Sequence, residues 1–184
     1  MVLIGRRLVL AAVGGTLAAG LPARKPRAEG LPPLAKALEP MDPPVALPDE
    51  PFLDADGREH RLSEFRGRGM VVNLWATWCA PCVAEMPSLA ALSKALAPAD
   101  IAVLPLSSDR GGAPVVEAWF RAHGISSLPV LLDPKGTVAR AWNARGIPTT
   151  VLIDRDGKGR ARLEGSADWG SPDAARMIRS VLES

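Results

Sequence analysis

The two cysteines of this 184-residue chain, Cys79 and Cys82, lie in the run Trp78-Cys79-Ala80-Pro81-Cys82. Two sulfurs separated by two residues can close a small disulfide and open it again, so thiol–disulfide exchange is the first chemistry to consider. A helix beginning here places Cys79 at its start and Cys82 one turn inside. The first N–H groups of a helix have no partner within it, and the dipole leaves that end partly positive. A sulfur at that end is stabilised as thiolate, the form that attacks disulfides. Pro81 stiffens the loop and removes a donor that would be unpaired at a first-turn position. On this reading Cys79 attacks and Cys82 resolves.

Other uses of the pair have to be weighed. A structural disulfide closing so small a loop would remove little chain entropy and stabilise weakly. Zinc would need four ligands, and the sequence has no second cysteine pair and no paired histidines. Two soft thiolates suit Cu(I), which leaves a non-enzymatic copper- or partner-binding module as an alternative. The methionine- and histidine-rich stretch of a dedicated carrier is missing from the sequence. Glu85, three residues after Cys82, shares its helical face. It is either a solvated carboxylate or, if partly buried, a group of raised pKa able to take or give the Cys82 proton. Trp75 falls in an apolar run and reads as core, whereas Trp78 beside Cys79 reads as the rim of the site.

The positioning elements are a strand and a helix. Residues 71–76 form a continuous apolar run of strand length, and residues 83–96 carry apolar positions at helical spacing. Around them the pattern alternates β and α, which makes the chain α/β. Residues 52–62 read as a hairpin turning at Asp56-Gly57, followed by a short helix capped by Ser63. Residues 101–107 read as a buried strand. Residues 113–123 read as a helix with Val115, Val116, Trp119 and Phe120 on its apolar side and Gly124 as its stop. A short strand at residues 129–133, a helix at residues 137–143, a hairpin at residues 150–164 and a last helix opened by Ser171-Pro172-Asp173 complete the chain. The repeated Asp-x-Asp-Gly at residues 54–57 and 154–157 lacks the further ligands of a calcium loop and reads as two hairpin turns. His60 and His123 are expected at the surface or at a helix end.

The first 28 residues stand apart. They hold five basic residues, no acidic ones, a short apolar stretch at residues 8–23 and then a basic end, the plan of an export signal. Arg6-Arg7 also suit a twin-arginine signal, leaving the export route open. An uncleaved anchor is the alternative, although the apolar stretch includes three glycines and is short for a span of roughly 20 residues. The remaining chain has 17 basic and 20 acidic residues, a net charge of −3, so the overall +2 belongs to the leader and predicts no nucleic-acid partner. Residues 29–47, rich in proline and alanine, read as an extended spacer, apart from one helical turn near Leu34. Residues 48–184 form the folded domain, expected as a monomer.

Trp78-Cys79-Ala80-Pro81-Cys82 after an apolar strand, with Asn73, Glu85, Pro87 and the downstream Gly146-Ile147-Pro148-Thr149, resembles the thioredoxin-like superfamily. Within it the pattern is similar to the TlpA/ResA-like branch of extracytoplasmic thiol-disulfide oxidoreductases. The resemblance implies a thioredoxin-like fold with an N-terminal β-hairpin and a central helix–strand insertion at about residues 114–132. It implies that Cys79 and Cys82 form the redox-active disulfide, that Glu85 shares in catalysis, and that Trp78, Pro81, Ile147 and Pro148 contact substrate. An average X–Pro bond is trans, but in this family the proline matching Pro148 is cis and faces the cysteines. An extended substrate segment could pair beside Ile147 as an added strand. The implied activity is a protein-disulfide reductase at the periplasmic or extracytoplasmic side, secreted or membrane-tethered. It needs no dissociable cofactor and no metal, and it draws electrons from a membrane thiol-disulfide donor. Implied clients are apocytochromes awaiting haem or copper-centre assembly proteins. The same residues run in reverse would make a thiol oxidase.

Overall fold

In the computed structural model, which describes residues 34–183, every strand among the described residues joins one mixed sheet. The order is α1 (Leu34–Ala37), β1 (Glu39–Ala46), β2 (Phe52–Asp54), β3 (Glu59–His60), a 3-10 turn (Leu62–Phe65), β4 (Gly69–Trp75), α2 (Ala80–Leu96), a second 3-10 turn (Ala97–Ala99), β5 (Ile101–Ser107), α3 (Ala113–Ala122), β6 (Leu131–Leu132), α4 (Thr137–Ala141), β7 (Thr149–Ile153), β8 (Lys158–Glu164) and α5 (Ala174–Glu183). The strands lie in the order β1-β8-β7-β4-β5-β6-β2-β3. The leader expected at residues 1–28 lies outside the described residues.

β4 is central because its side chains suit burial on both faces. All seven of its residues are buried, with β5 parallel on one side and β7 antiparallel on the other. The two-residue period of a strand divides them. Val71 and Trp75 join Cys82, Met86, Leu89 and Ile178 beneath α2 and α5. Met70, Val72 and Leu74 join Phe52, Leu104 and Trp142 in the opposite core. Asn73, in phase with Val71 and Trp75, therefore faces α2. The expected inserted helix and strand are α3 and β6, with β6 pairing parallel to β5.

Both Asp-x-Asp-Gly segments are turns held by their first aspartate. Asp54 Oδ1 accepts the Asp56 and Arg58 N–H groups at 2.9 Å each, and Asp154 Oδ1 accepts those of Asp156 at 3.0 Å and Lys158 at 2.9 Å.

Several expectations change. Residues 39–46, expected within the spacer, form an edge strand antiparallel to β8, with an irregular register between Pro40 and Val45. An edge strand tolerates prolines because its outward N–H groups have no ladder to join. The short turn at Leu62–Phe65 is not capped by Ser63. The Ser63 N–H instead donates to Asp49 Oδ1 at 3.0 Å. Val115 is exposed, while Val116 and Phe120 carry the buried face of α3. β6 keeps only two residues of the expected strand, and α4 stops at Ala141.

Candidate active site

The junction of β4 and α2 sets the geometry. Cys79 is the N-cap of α2, in extended conformation at φ −91° and ψ 102°, with Pro81 in the first turn. Its sulfur accepts the Cys82 N–H at 3.3 Å, one of the donors that the helix leaves unpaired. Cys79 and Cys82 are joined as a disulfide, with Cα atoms 5.2 Å apart. Cys82 is fully buried and Cys79 is 7 % exposed, so Cys79 is the more accessible of the two cysteines. Trp78, 69 % exposed, stands at the rim, and Trp75 is buried against Trp119 and Phe120. Ile147 and Pro148, joined by a cis peptide bond, come from the opposite side. The Ile147 carbonyl oxygen lies 3.7 Å from Cys79 Sγ. The Thr149 hydroxyl donates to Gly146 O at 2.7 Å, and the Gly165 N–H donates to Pro148 O at 2.8 Å, which together hold this segment.

The loop before Cys79 hangs on Asp109, which lies in a segment expected only as a loop. Asp109 is buried after the end of β5. It accepts the Thr77 N–H at 2.9 Å, the Thr77 hydroxyl at 2.6 Å and the Ser107 hydroxyl at 2.7 Å. Its place after the C-terminal end of a central strand is the available clue, since sites in open α/β sheets gather there.

Glu85 is fully buried, and its oxygens are unequally occupied. Oε2 accepts the Trp169 indole N–H at 2.8 Å and the Ala167 N–H at 3.1 Å. Oε1 accepts one donor, Asn73 Nδ2 at 3.0 Å, and the same nitrogen donates to Thr150 Oγ1 at 2.9 Å. Burial outweighs these three donors and raises the carboxyl from its ordinary 4.5 to about 7. Glu85 is thus the buried alternative of the two that the sequence allowed. Trp169, Ala167 and Thr150 were not anticipated, and no local pattern marks them. Among the described residues no group of three or more His, Cys, Asp or Glu side chains is arranged to hold a metal.

The arrangement supplies a reachable sulfur at a helix N-terminus, a buried partner sulfur and a buried carboxyl that changes charge near neutral pH. Comparisons with known proteins agree with that chemistry. The model of the AhpC/TSA family matches residues 43–162. The thiol-disulfide oxidoreductase ResA of Geobacillus kaustophilus is 35 % identical over 136 residues, covering 73 % of this chain and 75 % of that protein. The crystal structure of an exposed lipoprotein thioredoxin from Streptococcus pneumoniae aligns with a TM-score of 0.57 at 26 % identity, over 74 % of this chain and all of that one. A thioredoxin-family thiol:disulfide interchange protein from Chlorobium tepidum aligns with a TM-score of 0.60 at 24 % identity, over 76 % and 97 % of the two chains, and supports the fold. The chain belongs to the AhpC/TSA family and, within that thioredoxin-like group, is a thiol-disulfide oxidoreductase similar to ResA.

Proposed function

We propose that the protein is an extracytoplasmic protein-disulfide reductase in which Cys79, Cys82 and Glu85 act in sequence. The Cys79 thiolate attacks one sulfur of a client disulfide, forming a mixed disulfide and releasing the client's other sulfur as thiolate. The Cys82 thiol gives its proton to Glu85, and its thiolate attacks Cys79 Sγ. The client's second sulfur leaves, the Cys79–Cys82 disulfide forms, and two electrons have passed to the client. The observation that carries this reading is the buried Glu85, three residues from Cys82, with a proton affinity near neutrality. A general base works best when its pKa lies near the working pH.

Trp78, Pro81, Ile147 and Pro148 are the proposed client contacts, with a client strand lying beside Ile147. A membrane thiol-disulfide carrier would restore the dithiol, and apocytochromes or copper-centre assembly proteins are the proposed clients. The exported location draws support from the basic and apolar leader and from the lipoprotein thioredoxin relative. No helix among the described residues is long and apolar enough to cross a membrane, so a tether would rest on the leader.

Insulin reduction across pH tests the mechanism. Wild type turns over, Cys79→Ala and Cys82→Ala do not, and Glu85→Gln slows resolution by about 10²-fold. Activity surviving Cys82→Ala would reject the two-thiol cycle. Titration against glutathione and dithiothreitol tests direction. A potential well below about −200 mV supports a reductase, and one near about −120 mV would make the protein an oxidase.

A further inference from the structure

The two oxygens of Glu85 differ in their surroundings in a way that determines where a proton can sit. Oε2 faces two N–H groups, the Trp169 indole at 2.8 Å and the Ala167 backbone at 3.1 Å. Neither nitrogen can accept a hydrogen bond. A proton on Oε2 would point hydrogen at hydrogen and leave a buried donor unpaired, at substantial cost.

Oε1 has a different neighbour. Its one donor is the Asn73 amide, which carries an acceptor as well. Asn73 Oδ1 is buried and has no hydrogen-bond partner among the described residues. Nδ2 meanwhile serves Glu85 Oε1 and Thr150 Oγ1 together. Half a turn about the Asn73 Cβ–Cγ bond exchanges Oδ1 with Nδ2 and brings Oδ1 to both positions. A protonated Oε1 and the Thr150 hydroxyl can each donate to it there. The observed orientation suits the carboxylate, and the rotated one suits the acid.

We propose that Trp169, with the Ala167 N–H, is a positioning residue that dedicates Glu85 Oε2 to accepting hydrogen bonds and so assigns the exchangeable proton to Oε1, opposite Asn73. This rests on the reading of Glu85 as the proton carrier for Cys82. The loop at residues 165–170 is built to deliver the indole. A Cβ at Gly170 would meet Ser88 Cβ of α2 at 3.4 Å, so the chain passes close to the helix there. Among the described residues the groups bonded to the Glu85 carboxyl are Asn73 from β4 and Ala167 and Trp169 from the loop, with Thr150 of β7 behind Asn73 and Cys82 one turn away on α2. Asp168, between the two loop donors, directs Oδ1 to the Gly170 N–H at 3.1 Å. None of the groups bonded to the Glu85 carboxyl is charged.

The test is a pH-difference infrared titration of the oxidised full chain with isotopically labelled glutamate, using Glu85→Gln to assign the Glu85 bands. With the proton on Oε1, Oε2 is the carbonyl oxygen of the acid form. Trp169→Phe then removes one of its two donors. The acid C=O band should move to higher frequency, and the Glu85 midpoint should rise by about one pH unit, a tenfold change in proton affinity. A midpoint that rises while the C=O band stays in place would put the proton on Oε2 and overturn the assignment. A midpoint and band both unchanged, with only stability lost, would reduce Trp169 to a packing residue. If Trp169→Phe does not fold, 3-benzothienylalanine at position 169 keeps the ring volume without the N–H and gives the same readings. A Glu85→Gln protein that resolves mixed disulfides at the wild-type rate would overturn the proton-carrier reading alone and leave the oxygen assignment standing.

Discussion

Glutamine at position 85 turns a buried titratable group into a permanently neutral one of nearly the same shape. In the native protein the Glu85 carboxyl has a pKa of about 7, and in the unfolded chain it returns to 4.5. Between those values the native state holds the proton more tightly, so stability falls as pH rises, and the full penalty is present above about pH 7. The whole span corresponds to about 3 kcal/mol, of which about 2.5 kcal/mol develops between pH 5 and pH 8. Glu85→Gln has no such penalty. Its side-chain oxygen can keep the Trp169 and Ala167 donors, and a half turn of Asn73 gives its amide an acceptor. Denaturant unfolding of the oxidised proteins at pH 5 and pH 8 measures the effect. The stability of Glu85→Gln relative to wild type should grow by about 2.5 kcal/mol over that range, or roughly 5–10 °C in Tm. Other titrating groups, His60 among them, cancel in the difference. Parallel pH profiles for the two proteins would refute the reasoning, because a buried carboxyl of raised pKa cannot leave stability indifferent to pH.

Three further outcomes are expected. Cys82→Ser should accumulate a mixed disulfide on Cys79 with client proteins in the native compartment, detectable as reductant-sensitive adducts, whereas Cys79→Ser should accumulate none. Asp109→Ala leaves the Thr77 and Ser107 donors without their acceptor and should lower unfolding stability by at least about 2 kcal/mol, with slower reaction at Cys79 as its loop loosens. His60 donates its Nδ1–H to Glu64 Oε2 at 2.8 Å and, when protonated, its Nε2–H to Asp54 Oδ2 at 3.2 Å, and the first contact does most to raise its pKa above 6.5. Its contribution to stability is complete below pH 6.5 and is lost as pH rises through the raised value. In the Glu85→Gln background, His60→Gln should remove that slope.

What could be read from the sequence was local. The strand, the cysteine pair and the helix lie within 30 residues, and their apolar periods differ enough to place Cys79 at a helix start. The aspartate turns were readable for the same reason, since Asp54 and Asp154 bond to donors two and four residues on. Contacts that depend on distant partners were not. The Trp169 indole reaches Glu85 across 84 residues, and Asp109 reaches Thr77 across 32. A tryptophan in a loop and an aspartate after a strand look ordinary until the fold brings one to Glu85 of α2 and the other to Thr77 in the loop before it. β1 was hidden because Pro40, Pro43 and Pro44 argue against any strand. Its pairing depends on β8, where Gly159 leaves room for Met41: a Cβ there would lie 2.8 Å from Met41 Sδ. Val115 was misassigned because an apolar residue in the first turn of a helix can lie on either edge of the buried stripe.

The proposed attack by Cys79 requires that the start of α2 make it an acidic thiol. The pH dependence of Cys79 alkylation in the fully reduced protein, followed by mass spectrometry, measures this directly. The midpoint should lie clearly below the value of about 8.5 for a free cysteine. A midpoint at or above that value would mean that the helix end and the Cys82 N–H do not stabilise the thiolate, and the proposed attack by Cys79 would lose its physical basis.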